Sequence, residues 1–243
     1  MENRTFIMGD IHGMYDKLIV CLQAVSFDYT KDTLIQLGDV VDRGPDSYLV
    51  VEELLKIKNL IAIRGNHDVC FYDSIRTGQN NLLFNQGGKE TLESYIKNCN
   101  PEREIAFKMS GYVTNFDLDD YPKSHVDFFK NQLPYYIDNN NCCFVHGGFN
   151  RHLPIAEQRE ESDLWWDRDL WLAARSYAQM EDNVHRFKVK DGFNEIFIGH
   201  TPTTYFSSNI PLKAANITNL DTGCGKGGLL TIMNLETREI QQA

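Results

Sequence analysis

Six short apolar runs in this chain each stop at a small cluster of glycine, aspartate, asparagine or histidine. "TFIM" leads into "GDIHG", "TLIQL" into "GDVVDRG", "LIAI" into "RGNHD", "CCFV" into "HGG", "EIFI" into "GHT" and "ITNL" into "DTG". Apolar runs of four or five residues suit strands buried on both faces, and sheets of that kind carry ligands at the carboxyl ends of their strands. Helical patterns lie between the first three runs. Leu18, Cys21, Leu22 and Val25 share one face in 14–25, and "DSYLVVEELLKIK" offers Asp46 or Ser47 as an N-cap. Strand, helix, strand, helix, strand is the βαβ signature, so the first three clusters belong on neighbouring strands of one sheet.

The rest of the chain is less regular. Residues 70–135 read as mostly helical and irregular, with "SHVD" at 124–127 fitting a capping box, and 161–180 reads as a second helical stretch. After residue 195 the pattern is strand-like to the end. With no linker in view, a single domain over 1–243 is expected.

Composition excludes several function classes. The formal charge of -10 repels a nucleic-acid backbone or an anionic membrane as main partner. No apolar run approaches the 18 or so residues of a transmembrane helix, and the N-terminus lacks the pattern of a signal peptide. A cytoplasmic protein is expected. Cys21, Cys70, Cys99, Cys142, Cys143 and Cys224 show no framework spacing and no CxxC, so free thiols are expected, with Cys142 and Cys143 alternating across a strand. The "NRT" and "NIT" sequons carry no meaning in the cytoplasm.

The clusters would deliver Asp10, His12, Asp39, Asp42, Arg43, Asn66, His67, Asp68, His146, His200 and Asp221 to one edge. Magnesium or calcium sites use oxygen almost alone, and structural zinc uses thiolates. Imidazole with carboxylate suits manganese, iron, zinc or cobalt. Four of the seven histidines sit in these clusters, while His125, His152 and His185 lie in polar surroundings and read as solvated. One strand-end histidine is usually structural; four together are not. So many ligands exceed the needs of one ion and point to two, about 3.5–4 Å apart, sharing a carboxylate and a water. Such a pair lowers the water's pKa and screens its approach to an anionic phosphate, which suits hydrolysis of phosphate esters.

In order, "GDIHG", "GDVVDRG", "RGNHD", "HGG" and "GHT" resemble the motifs of the phosphoprotein phosphatase family of metallophosphoesterases, and with "DTG" the resemblance covers nearly the whole chain. It implies an α/β, calcineurin-like metallophosphoesterase fold: two packed mixed β-sheets flanked by helices, a four-layer sandwich with two metals at the edge where the sheets' loops meet. It further implies that Asp10 and His12 bind the first metal, that Asp39 bridges, and that Asn66, His146 and His200 bind the second. His67 would be the general acid, Asp42 the carboxylate orienting it, and Arg43 a phosphate-binding arginine. Elementary chemistry agrees: a departing alkoxide needs a proton, which an imidazole held by a carboxylate can supply, and a guanidinium fork matches two phosphoryl oxygens.

A second phosphate arginine is implied between "HGG" and "GHT". "WWDRDLW" resembles the W-N-R-E stretch of small prokaryotic-type protein phosphatases, which selects Arg168, with Arg175 as the alternative and a solvated helix residue as the plain reading of either. "DTGCGKGG" contains GxGxxG but is followed by a strand pattern, so a glycine-rich turn between two late strands near the cleft is expected.

For the substrate, a phosphorylated protein or small phosphoester is expected, by a serine/threonine phosphatase reaction in which a metal-bridging hydroxide attacks phosphorus. Two readings compete with it. Symmetrical diadenosine tetraphosphatases share the metal site but tend to lack the aspartate at the Asp42 position, whereas "NHD" and "DTGC" lean towards them. A non-catalytic scaffold would have lost ligands, and every implied position is filled.

Overall fold

The computed structural model describes residues 3–78, 84–108, 111–180 and 186–243. All six apolar runs are strands. Three of them, β1 (Thr5–Met8), β2 (Thr33–Gln36) and β3 (Asn59–Ala62), lie side by side and parallel, joined by α1 (Tyr15–Ala24) and α2 (Ser47–Leu54). After β3 come α3 (Asn66–Thr77), α4 (Gly88–Cys99), a hairpin of β4 (Ile105–Lys108) and β5 (Gly111–Thr114), and α5 (Lys123–Asn131). The chain then builds a second sheet from β6 (Tyr135–Ile137), β7 (Cys142–Val145), β8 (Glu195–Ile198), β9 (Leu212–Ala214) and β10 (Ile217–Asn219). Between β7 and β8 it forms α6 (Asp163–Trp166) and α7 (Asp169–Gln179). Finally β11 (Thr231–Asn234) and β12 (Ile240–Gln242) return to the first sheet.

The strand orders are β12-β11-β1-β2-β3 and β6-β7-β8-β10-β9. Each sheet thus holds a parallel triplet with antiparallel strands beyond it. Strand alternation makes the layers. Phe6 and Met8 point to the helices α1 to α5, while Ile7 between them points to the other sheet. In β7, Cys142 and Phe144 face the first sheet, while Cys143 and Val145 face α6 and α7. The adjacent cysteines therefore do alternate across a strand, and none of the six cysteines forms a disulfide. Phe144 and Phe197 stack in the middle layer with ring centroids 5.0 Å apart. Burying each such ring is worth roughly 1.5–3 kcal/mol. The result is helix, sheet, sheet, helix.

Several local expectations need correction. β3 is half-buried, because it is the edge strand of its sheet. Residues 70–135 contain the β4–β5 hairpin as well as helices, its strands too exposed to show a buried-strand pattern. Ser124 does not cap α5: Pro122, at φ -59°, stands at the N-cap and starts the helix at Lys123 without any side-chain cap. A proline already holds the φ that a helix entry needs and has no N–H to satisfy. Asp46 is the N-cap of α2, again without a side-chain bond, and Ser47 is buried instead. The stretch 161–180 is two helices. Asp167 leaves the helical region (ψ 139°), and its carboxylate accepts the Leu170 N–H that opens α7. A side chain on Gly148 would stand 2.4 Å from that carboxylate, so the glycines after His146 make room for the break. Finally, "RGNHD" does more than close a strand, since Asn66, His67 and Asp68 are the first turn of α3.

Candidate metal centre

Every cluster follows a strand of a parallel triplet. Asp10 and His12 follow β1, Asp39 follows β2, Asn66 and His67 lie just beyond β3, His146 follows β7, His200 follows β8 and Asp221 follows β10. All eight are buried. The two sheets meet at this edge. His146 Nε2 lies 3.1 Å from Asn66 Oδ1 and 3.4 Å from Asp39 Oδ1, and the His200 N–H donates to Asp10 at 3.2 Å.

Sharp backbone turns aim these side chains. His12, Asp39, Asp42, Arg43 and His200 have φ of 51°, 54°, 72°, 70° and 65°, the left-handed region that non-glycine residues seldom enter. Each such residue costs on the order of 1–3 kcal/mol, held by surrounding structure. The Asp39 carbonyl, for example, accepts both the Ile11 and His12 N–H groups. Gly65 has an ordinary φ of -95°, so the glycine is needed for space: a Cβ there would lie 2.2 Å from the Asp39 nitrogen.

Second partners set the imidazoles. His12 Nδ1 meets the Val41 carbonyl at 2.8 Å, and His146 Nδ1 meets the Leu37 carbonyl at 2.7 Å. A carbonyl only accepts, so each Nδ1 carries a proton and each Nε2 faces inward, the arrangement of metal-binding histidines. His200 Nε2 is buried with no hydrogen-bond partner. Burial, together with His146 and Arg168, pushes His200 down to about 2, so it is neutral. Burial and Asp221 hold Asp10 well above the carboxylate range. Burial opposes ionisation of Asp39, but His146, His67 and His12 outweigh it and keep Asp39 well below that range. Burial also opposes charge on His146, which Asp39 and Asp10 nevertheless raise to about 9. The carboxylates that hold this proton would equally attract a cation, which would displace it.

Among the described residues, two groups of three offer ligand atoms within 4.8 Å of one another: His12, Asp39 and His67, and Asp39, His146 and His200. They share Asp39. Inward-facing imidazole nitrogens, a shared carboxylate and an orphaned His200 nitrogen fit two divalent ions of the manganese, iron, zinc or cobalt type.

His67 stands at the rim of this set. Its Nδ1 is 2.6 Å from Asp42 Oδ2, and its Nε2 is 2.9 Å from Arg43 Nη2, whose other guanidinium nitrogen meets His12 Nε2. Arg168 donates to the His200 carbonyl at 3.1 Å and to Thr201 Oγ1 at 2.9 Å, which puts it beside the centre. Arg175 instead lies over the Phe206 ring at 3.7 Å. The glycine-rich turn does sit between β10 and β11 near the cleft, since a Cβ on Gly225 would be 2.5 Å from the His12 ring.

Two expectations about histidines fare differently. His152 is exposed, but His125 is fully buried between Tyr95 and Glu52. His185 lies outside the described residues. Supporting residues complete the site, and of these Gln132 and Thr91 carry no local sequence signal. Asp68 accepts from the Val40 and Gly65 N–H groups and from Gln132, tying the three segments together. Thr91, from α4, binds Asp42.

A family model, calcineurin-like phosphoesterase, matches residues 4–204, well over half of the chain. The chain belongs to the calcineurin-like phosphoesterases. This phosphoesterase is 25% identical to serine/threonine-protein phosphatase 1 of Salmonella typhimurium, over 95% of this chain and 91% of that one. It is 23% identical to a symmetrical bis(5'-nucleosyl)-tetraphosphatase of Buchnera aphidicola, over 97% of this chain and 96% of that one. A solved structure provisionally named a diadenosine tetraphosphatase aligns with a TM-score of 0.67 at 19% identity, covering 100% of this chain and 94% of that one. The family uses a dinuclear metal centre, and the chain is a metal-dependent phosphatase. No helix among the described residues is long and apolar enough to cross a membrane.

Proposed function

We propose that this phosphoesterase is a phosphomonoesterase, most simply a serine/threonine protein phosphatase using two manganese ions in the cytoplasm. The observation that carries the choice of substrate is the 2.6 Å contact between Asp42 and His67. A serine or threonine phosphate leaves as a strongly basic alkoxide, so its departure needs a proton. An ADP leaving group is a phosphate whose second pKa is about 6, and it departs with little help. A carboxylate-held imidazole is a device for the first case.

In this reading Asp10 and His12 would hold one ion, Asn66, His146 and His200 would hold the other, and Asp39 would serve both. The bound ions supply a nucleophilic water at neutral pH and positive charge beside the phosphoryl oxygens. Arg43 and Arg168 clamp the phosphoryl group. His67 Nε2, which in the structure accepts from Arg43, takes up a proton and gives it to the leaving oxygen, and Asp42 keeps Nδ1–H aligned. Six cysteines outside any disulfide support a reducing compartment. The charge of -10 supports a partner that is not a nucleic acid.

The relatives named as symmetrical tetraphosphatases keep a second reading open: cleavage of a dinucleoside tetraphosphate to two nucleoside diphosphates. A side-by-side assay with manganese tests the choice. Phosphate release from a phosphoserine peptide should exceed cleavage of diadenosine tetraphosphate at equal concentration. Rapid symmetrical cleavage to two ADP overturns the proposal.

A further inference from the structure

We infer that Thr91 is a positioning residue for the proton donor, acting through Asp42; the inference rests on the reading of His67 as general acid. Thr91 lies in the first turn of α4, fully buried and 49 residues from its partner. The Asp42 N–H can only donate, and it donates to Thr91 Oγ1 at 2.8 Å. The Thr91 hydroxyl donates its single proton to Asp42 Oδ1, also at 2.8 Å. Its remaining lone pair faces Ser47 Oγ at 3.0 Å, so the buried Ser47 hydroxyl donates to it. Every hydrogen-bonding capacity of Thr91 is used, and two of the three bonds go to one residue.

Asp42 needs such a clamp. Its backbone is in the left-handed region, where it has to be held by its surroundings. Its carboxylate is a two-fold rotor unless both oxygens are assigned, and here Oδ1 goes to Thr91 and Oδ2 to His67. The same α4 end holds Arg43, whose N–H donates to the Gly87 carbonyl at 3.3 Å. A Cβ at Gly87 would stand 2.0 Å from that nitrogen. Thus α4 sets both the arginine and, through Thr91, the acid. In the step concerned, the attacking water gives one proton to solvent as its oxygen bonds to phosphorus, and the phosphorus–leaving-oxygen bond breaks. Its electron pair stays on the leaving oxygen, which takes the His67 Nε2 proton, and His67 is reprotonated from solvent. Losing Thr91 frees the carboxylate to rotate and misaligns the imidazole without touching substrate.

The test is a comparison of leaving groups. Thr91→Val keeps the shape and removes Oγ1; Thr91→Ser keeps Oγ1. Turnover by the manganese-loaded protein is measured on dinitrophenyl phosphate, whose leaving group needs no proton, and on phenyl phosphate and a phosphoserine peptide, whose leaving groups do. Thr91→Val should lower kcat about 10–100-fold on the last two and less than about threefold on the first, with KM unchanged, since general acids contribute about 10²–10⁴-fold. Thr91→Ser should restore the loss. Metal content and melting temperature, measured in parallel, identify a variant that has lost its fold. If His67→Asn is steeply leaving-group dependent but Thr91→Val is flat across substrates, the inference is overturned. If His67→Asn is itself flat, His67 is not the acid, and the reading beneath the inference falls first.

Discussion

Gly225 has no side chain to offer the metal centre, yet it determines where His12 can stand. A Cβ there would lie 2.5 Å from the His12 Cδ2 and 2.7 Å from its Cγ, and the ring cannot retreat because Nδ1 is fastened to the Val41 carbonyl. Gly225→Ala should therefore lower bound metal and turnover about 10–100-fold, the usual cost of disturbing a ligand's support, with the far-ultraviolet circular dichroism unchanged. Elemental analysis decides it, and full metal occupancy in the variant refutes the packing argument. At this scale much was legible. Asp10, His12, Asp39, Asn66, His67, His146 and His200 stand in short clusters directly after apolar runs, so chemistry and position are adjacent in the chain. Thr91 and Gln132 are not legible, because each acts on a residue far from it in sequence and nothing local in "KETLES" marks a threonine as a clamp; the glycine-rich turn placed Gly225 near the cleft but not against His12.

At the scale of elements, His125 shows how a helix can be misread. It sits among polar neighbours in sequence, but α5 turns it inward, where Nδ1 meets the Tyr95 hydroxyl of α4 at 2.9 Å and Nε2 meets Glu52 of α2 at 2.8 Å. Burial lowers its proton affinity, and the half-exposed Glu52 offsets this only in part. In the unfolded chain the imidazole titrates near its ordinary pKa of about 6.5. The folded chain accepts the proton only at lower pH, so the unfolded state binds more protons in between, and stability falls as pH drops through that window. Melting temperatures at pH 7.5 and 5.5 should show a decline that His125→Gln reduces; an identical decline in the variant assigns the effect elsewhere. The strands were easier to read than the helix ends. A continuous apolar run survives any context that buries both faces, whereas the break at Asp167 depends on Gly148 approaching from another segment.

For the whole molecule, the metal centre is where two sheets become one object. Asp10, His12, Asp39 and Asn66 come from one sheet's edge, and His146, His200 and Asp221 from the other's. Ions held between them would favour only the assembled state. Removing metal with EDTA should lower the melting temperature, and manganese should raise it again, with about 2.7 kcal/mol of stability per ion at a hundredfold excess over Kd. Differential scanning calorimetry measures both, and a melt indifferent to manganese, zinc, iron and cobalt rules out the dinuclear reading of these residues. The order of chemistry along the chain and the identity of six strands follow from local pattern, since strand burial and residue type are written side by side. What only the tertiary structure decided is how β1-β2-β3 and β7-β8-β10 face each other across Phe144 and Phe197, and that a threonine on α4 reaches Asp42. Those are contacts between distant segments, and their free energy depends on packing that no local stretch of sequence contains.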